Sequence, residues 1–152
     1  MKAIKSNKKG FHIHSPFVYE LVTNVLFNKN ININFPETGF LQSARQVQLN
    51  ILHRLLHHFS PKKVFFPESL TEETEKTILN FPFAVLSESV FCRLTRFPEN
   101  NSIWFIKKDS RSSVPIFKNL PECENGIIAI ELKHSGIIIF DKKFCTQWYE
   151  IK

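Results

Sequence analysis

The sequence predicts an α/β fold: a mostly parallel sheet with a C-terminal antiparallel hairpin, preceded by two N-terminal helices. Three observations predict it. Two segments near the N-terminus repeat apolar residues at helical spacing. After Pro61, short apolar runs alternate with short helix-like runs, the pattern of βαβ units. The chain then closes on "GIIAIELKHSGIIIFDKKF", two apolar runs around a turn at residues 134–136, which reads as a hairpin.

The first helix starts at "HSPF". Ser15 is a good N-cap, and Pro16 at the first helical position sacrifices no hydrogen bond, because that N–H has no partner in any helix. Phe17, Leu21 and Val25 follow at four-residue spacing. Residues 28–39 are polar, contain Pro36 and Gly39, and read as a loop. A second amphipathic helix is expected over residues 40–59, with Leu41, Ala44, Val47, Ile51, Leu55 and Phe59 in one stripe. Ser60-Pro61 ends it. Strands are then expected at 64–67, 83–87 and 102–106, helices at 69–80 and 89–96, and a helical turn at 114–120. "QWYEI" reads as a last strand. The 152 residues suit one domain, with a helical part (1–60) and an α/β part (61–152). A chain of this length buries about 70% of its unfolded surface.

Composition narrows the class. The chain is 43% hydrophobic and 22% charged, so it folds rather than staying disordered. Phe supplies 16 residues, so much of the core is aromatic. The formal net charge is +6, and Lys2, Lys5, Lys8 and Lys9 sit in the first ten residues. That stretch reads either as a solubilising, poorly ordered terminus or as an arm for an acidic partner such as RNA. Cys92, Cys123 and Cys145 are odd in number and lack a CxxC pair, which argues against a disulfide framework or zinc knuckle and fits a reducing cytoplasm. No apolar run approaches the ~18 residues of a membrane span.

Three stretches, "HIHSPFVYELVTNVL", "LLHHFSPKKVFF" and "ELKHSGIIIFDKKF", resemble in this order a group of bacterial class I S-adenosylmethionine-dependent methyltransferase-like proteins. The HSPF helix start is the most specific of the three. The resemblance implies a Rossmann-like sheet, reduced in size. The positions that carry the chemistry depart from the family. Where its first strand ends in an acid and a glycine-rich loop, this chain has Phe66, Pro67, Glu68, Ser69 and Leu70. Where a late strand ends in two aspartates, it has Lys107 and Lys108. Between residues 87 and 102 there is no room for the two middle βα units of such enzymes. The resemblance therefore implies a degenerate, non-catalytic relative, a pseudoenzyme, that binds neither adenosylmethionine nor metal and acts on a protein or RNA partner. The alternatives are an active small methyltransferase with an unusual or oligomer-completed pocket, and a basic RNA-binding module. If cofactor binding survives, Glu88 is its expected residue, because the family places an acid for the ribose hydroxyls after its second strand.

The residues alone lead the same way. The four glycines are Gly10, Gly39, Gly126 and Gly136, so none lies at a βα junction between residues 40 and 125. A dinucleotide-type site needs glycine there for a tight turn and close backbone approach. Ser69 and Glu72 instead have capping-box spacing, and Glu68, Glu72, Glu73 and Glu75 crowd the positive end of the helix, which disfavours a bound anion.

Other constellations carry less. His53 and His57 are i,i+4 on a helix without a third ligand and read as part of its polar face. His14, just before the Ser15 cap, suits a structural role better than a catalytic one, and His12 lies two residues earlier. Glu131 and Lys133 could share a strand face as half of a metal-nuclease pattern, with Pro67-Glu68 as the other half; solvated edge-strand residues are the simpler reading. Asp109, Ser110 and His134 have the residue types of a hydrolase triad but no nucleophile elbow. Lys107, Lys108 and Arg111 form a basic cluster that could meet phosphate, although solvated strand-end charges are the commoner case. Trp104 alternates with Ile103 and Phe105 and belongs to the core.

Overall fold

The computed structural model describes residues 1–27, 44–99, 101–109, 114–121 and 125–152. Its six strands are β1 (Ile4–Ser6), β2 (Phe83–Ser87), β3 (Ser102–Lys107), β4 (Asn125–Glu131), β5 (Ser135–Cys145) and β6 (Gln147–Ile151), in the spatial order β1-β6-β4-β5-β3-β2. β5 pairs antiparallel with both β3 and β4, while β2/β3, β4/β6 and β1/β6 are parallel. Five strands therefore share one direction and β5 alone opposes them.

The hairpin lies in the middle of the sheet. Its turn comes earlier than expected, with the Leu132 N–H donating to the Ser135 carbonyl at 2.8 Å. β5 inserts between β3 and β4, and Thr146 then leads the chain past β4 to β6 on its far side. A register shift between Asn125 and Ile127 falls at Gly126, whose φ of 110° favours glycine.

Helices cover both faces. α1 (Pro16–Glu20) starts at Ser15, whose hydroxyl accepts from the Val18 N–H at 3.4 Å, and runs on as a π-helix over Leu21–Leu26. α2 spans Gln46–Phe59 and starts six residues later than the stripe suggests. The loop read at 28–39 and the stripe's first residues, 40–43, lie outside the described residues. Arg54 of α2 donates to the Leu26 carbonyl at 2.6 Å and so caps the end of the π-helix. Val18, Leu21, Val22, Val25, Ile51, Leu52 and Leu55 pack on one sheet face against Val85, Phe105, Ile130, Ile137 and Tyr149.

The opposite face alternates as a pleated sheet must. Ala84, Leu86, Trp104, Ile106, Ile138 and Phe140 meet Ile78 of α3 (Glu72–Asn80), Val90 and Phe91 of α4 (Glu88–Arg93), and Phe117 and Leu120 from the turn that follows. Trp104 is fully buried, in edge-to-face contact with Phe140 at 4.8 Å.

Two expectations are corrected here. The lysine-rich N-terminus is not a loose tail: it contributes β1, which precedes the first helix and pairs with β6 in the register Ile4↔Tyr149 to Ser6↔Ile151. The helical and α/β parts thus share one sheet. Residues 64–67 do not form a full strand; Phe65 makes a parallel bridge to Ala84, and Pro67, which has no N–H, cannot extend the ladder. No helix among the described residues is long and apolar enough to cross a membrane.

Gly136 is where the hairpin meets the Phe117 turn. A Cβ there would lie 2.5 Å from Phe117 Cζ and 2.7 Å from Ile116 Cδ1. Gly136→Ala should therefore cost about 1–3 kcal/mol of overpacking, read as a lower urea midpoint at unchanged slope.

Candidate functional site

The parallel strands β3, β4 and β6 end at one edge of the sheet, and α2 begins above it. Lys108 follows β3 and Glu131 ends β4; both are buried. Their Nζ and Oε1 atoms are 2.8 Å apart. The ammonium also donates to the Leu132 carbonyl at 3.0 Å, and the same carboxylate oxygen accepts from the Ile116 N–H at 2.7 Å. Gln48, buried on α2, donates to the carbonyls of Lys108 at 3.0 Å and His134 at 2.6 Å. The Lys108 N–H closes the unit on His134 O at 3.1 Å. One buried ion pair thus joins two strand ends, the hairpin turn, α2 and the 116–117 turn.

A cleft of about 800 Å³ opens beside this pair. Val47 and Ile51 of α2, Leu132 and Ile151 give it an apolar lining; Lys8, Lys133, His134 and Lys152 bring polar groups to it. Burial pushes the His134 imidazole pKa down, and the positive charges of Arg45, Lys133 and Lys108 push it further the same way. An Arg45 guanidinium nitrogen approaches His134 Nδ1 at 3.4 Å. The cleft can therefore take an apolar body with a polar end, and at neutral pH His134 is uncharged.

The glycine-free junction is closed by the chain's own groups. Thr71, not Ser69, caps α3: its hydroxyl accepts from the Thr74 N–H at 3.2 Å, and the Thr74 hydroxyl accepts from the Thr71 N–H at 2.6 Å. The cap shifts because Thr74 also donates back to the Ser69 carbonyl at 3.1 Å, which holds residues 69–71 in a turn. Glu72, Glu73 and Glu75 occupy the first turn of α3.

Glu88 begins α4 at the end of β2, and one carboxylate oxygen accepts from the Asp109 N–H at 2.7 Å, tying the ends of β2 and β3 together. It is not among the residues lining the cleft. Lys108 is corrected from an exposed phosphate contact to a buried, paired cation; Arg111 lies outside the described residues. Glu131 and Lys133 do not share a strand face, because β4 ends at Glu131 and Lys133 is exposed in the turn beyond. His53 is buried rather than on the polar face, with burial lowering its pKa, whereas His57 is exposed. Asp109 and His134 both line the cleft, while Ser110 lies outside the described residues.

Cys92 is exposed, yet its thiol pKa is raised by partial burial and by the charges of Glu88 and Asp109, which suppresses the thiolate. Cys145 is a free, exposed thiol, and Cys123 lies outside the described residues. Among the described residues no group of three or more His, Cys, Asp or Glu side chains could hold a metal ion.

Sequence reasoning missed the Lys108–Glu131 pair and Gln48. The available signal was a single acid at the end of the apolar run "GIIAIEL" and a polar residue beside the stripe of α2. No protein-family model, curated protein or solved structure matches the chain.

Two measurements check this geometry. Lys108→Met leaves Glu131 buried without its cation and should cost about 3–5 kcal/mol; adding Glu131→Gln, which keeps an acceptor for Ile116, should recover most of that loss in denaturant titrations. The imidazoles of His53 and His134 protonate near pH 6.5 when unfolded, roughly, but resist protonation when folded. The unfolded state then gains protons first as pH falls. Stability should therefore decline below about pH 6.5 and level off once the folded imidazoles also titrate, and His134→Gln should make the decline shallower.

Proposed function

We propose that this chain is a non-catalytic derivative of the class I S-adenosylmethionine-dependent methyltransferase scaffold, acting as a small binding protein through the cleft beside Lys108 and Glu131. The observation that carries this reading is the start of α3. The Thr71–Thr74 box already engages the Thr71 and Thr74 N–H groups, Glu72, Glu73 and Glu75 put negative charge in the same first turn, and buried Pro67 offers no N–H. Those residues do not fit adenosylmethionine, whose adenosine and carboxylate need open backbone and donors.

Two further features support the reading. A parallel sheet with one reversed strand supplied by a C-terminal hairpin is what the resemblance implies, and β2 is followed at once in the sheet by β3. At the sheet's carboxyl edge the two residues that end β4 and follow β3, Glu131 and Lys108, are paired with each other. An active enzyme would depend on Glu88, whose carboxylate instead holds the Asp109 N–H.

Calorimetric titration with S-adenosylmethionine should give no saturable heat. A micromolar Kd that disappears in Glu88→Ala would overturn this reading in favour of an active methyltransferase site.

A further inference from the structure

The first 19 residues hold Lys2, Lys5, Lys8 and Lys9 and no Asp or Glu. They are folded onto the sheet. β1 pairs with β6, and the Lys152 N–H donates to the Ser6 carbonyl at 3.1 Å. The loop after β1 is tied at four points: the Lys9 N–H to Asn7 Oδ1 at 2.9 Å, the Gly10 N–H to Asn7 O at 2.9 Å, the Ile13 N–H to Gly10 O at 3.2 Å, and Ser6 Oγ to the Phe11 carbonyl.

Gly10 has φ 79°, and a Cβ there would meet the Tyr19 ring at 2.6 Å. Its absence lets Tyr19 lie against the loop. Phe11 is 60% and Tyr19 47% exposed. A shallow depression beside Phe11 is lined by Lys5, Ser6, Asn7 and His12. The acid opposite Lys5 in the sheet, Glu150, is engaged by Lys152 at 3.4 Å.

Ammonium groups on an ordered frame, beside open aromatic faces, are the components of a single-strand nucleic-acid site: lysines meet phosphates and rings stack on bases. An acidic peptide would use the charge and leave the rings idle. A duplex keeps its bases stacked on one another and cannot offer them to Phe11. We infer that this surface binds single-stranded nucleic acid, with phosphates at Lys5, Lys8 and Lys9 and a base on Phe11. It adjoins the cleft at Lys8 and does not depend on the fate of the cofactor site.

The test is fluorescence anisotropy of the full chain with labelled oligo-U RNA, oligo-dT DNA and a mixed-sequence duplex, each about 12 nucleotides per strand. Both single strands should bind saturably. With three lysines on phosphates the affinity should fall about 20-fold between ~50 and ~200 mM salt. Phe11→Ala should weaken binding roughly 5- to 100-fold, and Lys5→Ala with Lys9→Ala should lower the salt slope by about 1.4. Tighter binding of RNA than DNA would mean that the 2′-hydroxyl is also read; equal binding would mean that phosphate and base suffice. Absence of saturable binding to either single strand at ~50 mM salt would overturn the inference. So would duplex or polyglutamate binding as tightly as oligo-U, or wild-type affinity in Phe11→Ala with an unchanged circular dichroism spectrum.

Discussion

The buried pair of Lys108 and Glu131 is the interaction on which the rest of the architecture depends. A charge inside a protein is tolerated only when its partner and hydrogen bonds are in place. Meeting that condition here fixes four pieces of chain at once: the end of β3, the end of β4, the hairpin turn through the Leu132 carbonyl, and the 116–117 turn through the Ile116 N–H; beside it Gln48 ties α2 to the backbone carbonyls of Lys108 and His134. Part of the cleft wall is built from these same pieces, and Lys8, Phe27 and Ile151 complete it. This edge of the sheet, where open α/β folds place ligands, is organised by internal electrostatics.

β5 connects that edge to the core. By lying between β3 and β4 it gives each a neighbour on its inner side, and its apolar run 137–140 feeds both faces in turn, Ile137 and Ile139 to the helical side and Ile138 and Phe140 to the aromatic side. The same strand brings Gly136 against Phe117, the one position there that a side chain could not share. Core, hairpin and cleft are therefore one mechanical unit.

Local chemistry made much of this legible. Ser15-Pro16 can hardly be anything but a helix start, and the structure has it so. Strands 83–87 and 102–106 were readable as short runs that are apolar but for one terminal serine each, and Trp104 as core, because a sheet covered on both faces tolerates little else. The reading failed where local signals were ambiguous or distant. Ser69 and Thr71 both offer a cap, and the choice rests on Thr74 reaching back to the Ser69 carbonyl. His53 resembles its exposed neighbours in sequence and is buried by what packs on α2. Lys2, Lys5, Lys8 and Lys9 obscured a three-residue strand whose partner, β6, lies at the other end of the chain.

The sequence by itself determined the α/β class, the start of the first helix, the apolar strands and the absence of glycine at every βα junction, because these depend on neighbours a few residues apart. Only the tertiary structure decided that Lys108 is a buried structural cation, that Glu131 is its partner, that Glu88 ties β2 to β3, and that Phe11 and Lys5 line one surface depression. Each of those facts depends on groups far apart in sequence. Whether a charge is solvated, paired or free to meet a ligand is settled by what folds against it.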